Sequence, residues 1–116
     1  MSKVLLVDFD GVIHHYKEYG DGGITGWLMK GARDMTAKLI RKGYQIWIFT
    51  SRINNTDESG VDLSKVSEIE KWLNLHGISY GTHFVGITNY KKKAHMYIDD
   101  RAFRFTNWDD VNKYLP

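Results

Sequence analysis

Three short apolar runs, each ending in polar side chains, set the limits on how this chain can fold. They are Val4-Leu5-Leu6-Val7, residues 44–49 and Met96-Tyr97-Ile98. Each is apolar almost throughout instead of alternating, so each predicts a strand buried on both faces, the mark of a parallel sheet. Between the runs lie segments with helical spacing. Ala32, Met35, Leu39 and Ile40 make one inner stripe over residues 30–42, with Gly43 as its stop. Val66, Ile69, Trp72 and Leu73 make a second over residues 63–76, which Gly77 ends. A further short strand is expected near residues 83–87 and a short helix over 109–115, while residues 14–26 and 53–62 read as polar loops. Strands alternating with helices predict an α/β fold: a three-layer Rossmann-like parallel sheet of four or five strands, covered on both faces.

A chain of 116 residues with 42% hydrophobic content can bury one sizeable core, so a single domain over residues 1–116 is expected. The formal charge of +2 is too small to mark a nucleic-acid binder by itself. The absence of cysteine excludes a disulfide scaffold and thiolate metal sites. Met1-Ser2-Lys3 runs straight into the first strand, with no signal peptide and no membrane-spanning run, so the expected location is the cytoplasm.

In open parallel sheets, ligands bind at the carboxyl ends of the strands. This sequence places Asp8 and Asp10, then Thr50-Ser51-Arg52, then Asp99 and Asp100 at those ends. Strand alternation points Asp8 and Asp10 the same way and turns Phe9 into the core. Two carboxylates so close repel each other, and a cation or a shared proton must relieve them. Four carboxylates, a hydroxyl and an ammonium from Lys91-Lys92-Lys93 match the needs of phosphoryl transfer, for which Mg2+ suits the oxygen ligands better than zinc.

In these motifs the chain resembles the haloacid dehalogenase (HAD) superfamily of phosphohydrolases. Asp8-Phe9-Asp10-Gly11-Val12-Ile13 matches the first signature motif, Thr50 within Ile48-Phe49-Thr50-Ser51-Arg52 the second, the lysine run the third, and Tyr97-Ile98-Asp99-Asp100-Arg101 the fourth. The resemblance implies that Asp8 is a nucleophile that becomes an aspartyl phosphate. It makes Asp10 the acid and then the base, and members with long-lived aspartyl phosphates lack an aspartate there. Thr50 would donate to a phosphoryl oxygen, with Ser51 as substitute. Lys91 would bridge nucleophile and phosphoryl group, with Lys92 in reserve. The implied Mg2+ ligands are Asp8, the Asp10 carbonyl and Asp100, with Asp99 just outside; the two last can be exchanged.

Many relatives insert a cap domain, and neither gap here has room for one. A capless site either admits a large substrate or is closed by a neighbouring subunit in a homo-oligomer. Arg52, Arg101 and Arg104 either join the lysines in a basic rim or pair with Asp57, Glu58, Asp109 and Asp110. The rim favours a nucleotide or a phosphorylated nucleic-acid end as substrate. The motif-four region also resembles small bacterial and phage phosphatases and the phosphatase portion of polynucleotide kinases. A sugar or metabolite phosphate is the alternative substrate. A phospho-accepting domain and a non-hydrolytic binding module are the alternative functions. His14, His15 and Trp27 stand near motif one as further candidates for substrate contact.

Overall fold

The computed structural model describes residues 3–15, 23–55, 60–102 and 104–115. The apolar runs form the centre of a four-stranded parallel sheet in the order β5-β4-β1-β6. β1 spans Val4–Asp8, β4 Gln45–Phe49, β5 Gly86–Thr88 and β6 Met96–Ile98. β1 pairs with β4 from Val4↔Gln45 to Asp8↔Phe49, and with β6 from Leu5↔Met96 to Val7↔Ile98. This register sorts the side chains into two faces, because residues in one row point the same way. Leu5, Val7, Ile46, Ile48, Ile87 and Ile98 occupy one face; Leu6, Asp8, Trp47, Phe49 and Tyr97 occupy the other.

The first face carries the core. Helices α1 (Ala32–Arg41) and α2 (Leu63–Leu75) both bury their apolar residues there. Ile69, Trp72 and Leu73 join Leu5, Val7, Phe9, Ile46 and Ile48 in one buried cluster, with Leu39, Ile40 and Val66 packed against it. α2 starts where the Asp62 carboxylate accepts from the Ser64 amide at 2.9 Å, satisfying a free N–H of the first turn. Gly43 and Gly77 end the two helices as the sequence predicts. The α1 stripe differs by one position. Met35 is exposed, and Thr36 takes the buried place because its hydroxyl donates back to the Ala32 and Arg33 carbonyls.

The second face departs from the expected third layer. The third helix, α3 (Trp108–Tyr114), buries none of its residues. Instead the β5–β6 connection folds onto this face. The Lys92 ammonium stands 4.1 Å from the Trp47 ring centroid, and the Tyr97 hydroxyl donates to the Lys92 carbonyl at 2.8 Å. Gly86 makes this possible, since a Cβ there would lie 2.2 Å from the Trp47 ring. The ring therefore packs directly against the bare backbone of β5 at Gly86.

Two expected loops contain structure. His14–His15 (β2) and Trp27–Leu28 (β3) pair antiparallel. Ser51–Ile53 forms a 3-10 turn capped by Thr50, and its Ile53 is buried in the core. The expected strand near residues 83–87 lies slightly later, at β5, because His83 and Phe84 are buried in the preceding turn. Among the described residues no helix is long and apolar enough to cross a membrane.

Gly86→Ala should lower stability by about 1–3 kcal/mol, the range for overpacking a tight site. Urea denaturation measures it; an unchanged midpoint would mean the Trp47 ring does not lie against β5.

Candidate active site

β1 is flanked on both sides, so its carboxyl end meets the ends of β4 and β6. Asp8 closes β1, and Asp99 and Asp100 follow β6 directly. One carboxylate oxygen from each of the three lies within 4.8 Å of the others. Burial raises the Asp8 carboxyl first, and the charges of Asp99 and Asp100 add to it, pushing it up to about 6. The Phe9 amide opposes the rise, and Asp10 contributes the smallest push. The oxygens have the hardness and spacing for one divalent cation, whose oxygen ligands sit at about 2.0–2.6 Å. A cation there would relieve a repulsion that the fold itself imposes.

Gly11 secures this arrangement. Its backbone has φ +88, and a Cβ would stand 2.2 Å from Oδ2 of Asp100. Only a glycine both adopts the turn and lets the Asp100 carboxylate come so close. Asp99 has one oxygen committed, accepting from the Arg101 amide at 2.7 Å.

Asp10 belongs to a different group. β1 ends at Asp8, and the chain turns on the Phe9 carbonyl, which accepts from the Ile13 and His14 amides at 3.0 and 2.9 Å. Phe9 is fully buried, as expected. The Asp10 carboxylate lies outside the three-carboxylate cluster and is held by cations and donors of its own. Arg52 donates from Nε to Oδ2 at 2.6 Å and from Nη2 to Oδ1 at 3.0 Å. His14 reaches Oδ1 from Nδ1 at 2.8 Å. Arg52, expected either in a basic rim or paired with Asp57, Glu58, Asp109 or Asp110, instead makes this partly buried fork on Asp10. Asp57 and Glu58 lie outside the described residues. The repulsion between Asp8 and Asp10 is thus answered by Arg52, while Asp99 and Asp100 do most of the crowding of Asp8.

Thr50 is buried at the end of β4, one residue past the Asp8↔Phe49 pair. Its Oγ1 accepts from the Arg52 amide at 3.1 Å, which leaves its own hydroxyl hydrogen to donate elsewhere. Ser51 is exposed in the turn. The lysines separate clearly. Lys92 is committed to Trp47, whereas the Lys91 ammonium stands 6.0 Å from the ring centroids of both Phe49 and Tyr97. Phe49 is the register partner of Asp8, so Lys91 lies on the same face of the sheet as the Asp8 side chain. His83 and His76 are taken up locally, by the Ser79 amide and the Trp72 carbonyl. His15 and Trp27 stack at 4.4 Å, and Trp27 remains 54% exposed.

For two residues the sequence alone does not reveal the part they play. Gly11 is visible there only as part of a motif, although its positive φ could be guessed from its place after a strand-end pair. His14, expected as a substrate contact, is fully buried against Asp10. No protein-family model matches the chain, and no curated protein matches it either.

The raised Asp8 carboxyl makes stability depend on pH. Between about pH 4 and pH 6 the folded chain keeps a proton that the unfolded chain has released, so stability falls as pH rises through that window. Asp8→Asn removes the charged form. In chelator it should exceed the native chain by on the order of 1–3 kcal/mol at pH 7.5, with the gap closing near pH 4. Denaturation at both pH values decides; a gap that does not change with pH would contradict the assigned crowding. Gly11→Ala should displace Asp100 and weaken whatever divalent-cation affinity the three carboxylates provide at least about tenfold by calorimetry.

Proposed function

We propose that this chain is a Mg2+-dependent phosphomonoesterase of the haloacid dehalogenase type that works through an aspartyl phosphate on Asp8. The observation that carries the reading is the meeting of Asp8 with Asp99 and Asp100 at the carboxyl end of a parallel sheet. Asp8, Asp99, Asp100 and the Asp10 carbonyl would hold the ion. Bound there, it would neutralise the carboxylates and polarise a phosphoryl oxygen.

The residues then divide the work. A carboxylate oxygen of Asp8 attacks phosphorus, and the ester P–O bond breaks as the new one forms. Asp10, having taken a proton from solvent on its vacated oxygen, gives that proton to the departing oxygen. It then takes one from the water that attacks the aspartyl phosphate, which frees inorganic phosphate and restores Asp8. Both Asp10 oxygens are occupied in the arrangement described above, so one must be vacated first. Arg52 supplies the means: its fork fits a phosphoryl group as well as a carboxylate, and turning to the substrate releases Oδ2. Thr50 donates its hydroxyl hydrogen to a phosphoryl oxygen. Lys91 balances the charge that builds up there.

The substrate we favour is a nucleotide or a phosphorylated nucleic-acid end. The exposed Asp99 and Asp100 and the exposed Trp27 ring near the Asp10 turn support it; a metabolite phosphate is the competing choice. One observation favours a second activity class. An Asp10 that stayed locked by Arg52 could not promote hydrolysis, and the chain would then accept a phosphoryl group without turning over.

Continuous release of nitrophenol from p-nitrophenyl phosphate with Mg2+ is expected, abolished by chelator and by Asp8→Asn. Lys91→Ala should lower kcat about 100-fold or more. Lys92→Ala should keep activity within about tenfold and instead cost about 0.5–1 kcal/mol of stability. Stoichiometric labelling without turnover would favour the phospho-accepting class, and no reaction at all would refute both.

A further inference from the structure

His14 is the most completely enclosed polar side chain near the candidate site, and the mechanism above assigns it nothing. It is 0% exposed. Its ring stacks on Phe9 at 5.3 Å and 13°, and meets the Trp72 ring edge-on at 5.1 Å. Both ring nitrogens are engaged. The Gly26 amide donates to Nε2 at 3.0 Å, so Nε2 accepts and the hydrogen is assigned to Nδ1. Nδ1 then donates to Oδ1 of Asp10 at 2.8 Å.

Gly26 is fixed in turn. A Cβ there would lie 1.7 Å from the His15 carbonyl oxygen and 2.9 Å from Nε2 of His14. Arg52 touches the same segment, donating from Nη2 to the Gly23 carbonyl at 3.3 Å. The two partners of Asp10 differ in kind. The Arg52 side chain is partly exposed and carries a group suited to a second anion, whereas the His14 side chain is fully buried.

We propose that His14 is a positioning residue that ties Oδ1 of Asp10 to the β2–β3 pair, so that proton transfer runs through Oδ2 once Arg52 has turned to the phosphoryl group. The inference rests on the phosphatase reading and adds to it. Phe9 and Trp72 fix the plane of the imidazole, the Gly26 amide fixes its tautomer, and the imidazole fixes the carboxylate. A misplaced Asp10 would matter most for leaving groups that must be protonated as the P–O bond breaks. An alkoxide needs that proton; nitrophenolate leaves without it.

The test compares the phosphorylation step, read as the pre-steady-state burst, for glycerol phosphate and p-nitrophenyl phosphate with Mg2+. His14→Phe keeps the stacking and loses both hydrogen bonds. It should slow the alkyl ester about 100-fold and the nitrophenyl ester less than about fivefold. His14→Asn, whose amide can again donate to Oδ1, should recover at least about tenfold of the alkyl loss. Equal effects on the two esters, or no effect on either, overturn the inference. Asp10→Asn is the reference: if it also fails to discriminate the esters, or if the native chain reacts with neither, the phosphatase reading falls and the inference with it. Imidazole 15N spectra of the native chain need no variant to fold. They should show His14 protonated on Nδ1, and the opposite tautomer overturns the proposal.

Discussion

One carboxylate oxygen from each of Asp8, Asp99 and Asp100 lies within 4.8 Å of the others, and the central strands of the sheet bring them there. Two unit charges 4 Å apart repel by about 4 kcal/mol at the effective dielectric of a protein surface. A chain leaves such an opposition in place only where its framework is firm enough to bear it. Here the framework is the sheet. β1 is gripped on one side by β4 and on the other by β6, so the ends of β1 and β6 cannot drift apart without breaking the central ladder. The core lies on the opposite face from the Asp8 side chain, which leaves the site at the rim and the apolar packing beneath it.

The cations are distributed so that they do not cancel this crowding. Arg52 is spent on Asp10, and Lys92 on the Trp47 ring. Lys91 stands over Phe49 and Tyr97 on the face of Asp8, and the groups that set the Asp8 carboxyl are burial and its acidic neighbours. The result is one carboxylate, Asp10, held by its own counter-charge, and another, Asp8, pushed toward the neutral form. Two carboxylates with such different surroundings are suited to different roles in one reaction. On the phosphatase proposal, Asp8 gains its partner from the ion and Asp10 loses one of its own to the substrate.

Much of this framework can be read from the residues. Val4-Leu5-Leu6-Val7 has no polar face, and it lies between two neighbours in the sheet with helices packed on one side. Phe9 between two aspartates had to go inward, and it does. What the sequence hides is decided by contacts between distant segments. Thr36 replaces Met35 on the buried stripe because a hydroxyl can bond its own helix backbone, which no apolar periodicity reveals. On the second face, among the described residues, Trp47 finds a floor in Gly86 and a roof in Lys92, residues 39 and 45 positions later in the chain. One partner of Asp10 is equally non-local: Arg52 lies 42 positions away, and nothing in its own surroundings marks it for this fork. The β2–β3 pair is only two residues per strand, too short for any alternating pattern to show.

The crowding of Asp8 is electrostatic, and its carboxyl carbon reports it directly. A 13C titration of that carbon, in chelator and then in saturating Mg2+, is the measurement of choice. The account predicts a midpoint near 6 without the ion and a marked fall once the ion is added, because a cation favours the charged form. A midpoint near the ordinary aspartate value of 3.8, unmoved by Mg2+, would mean that the three carboxylates neither crowd one another nor share an ion.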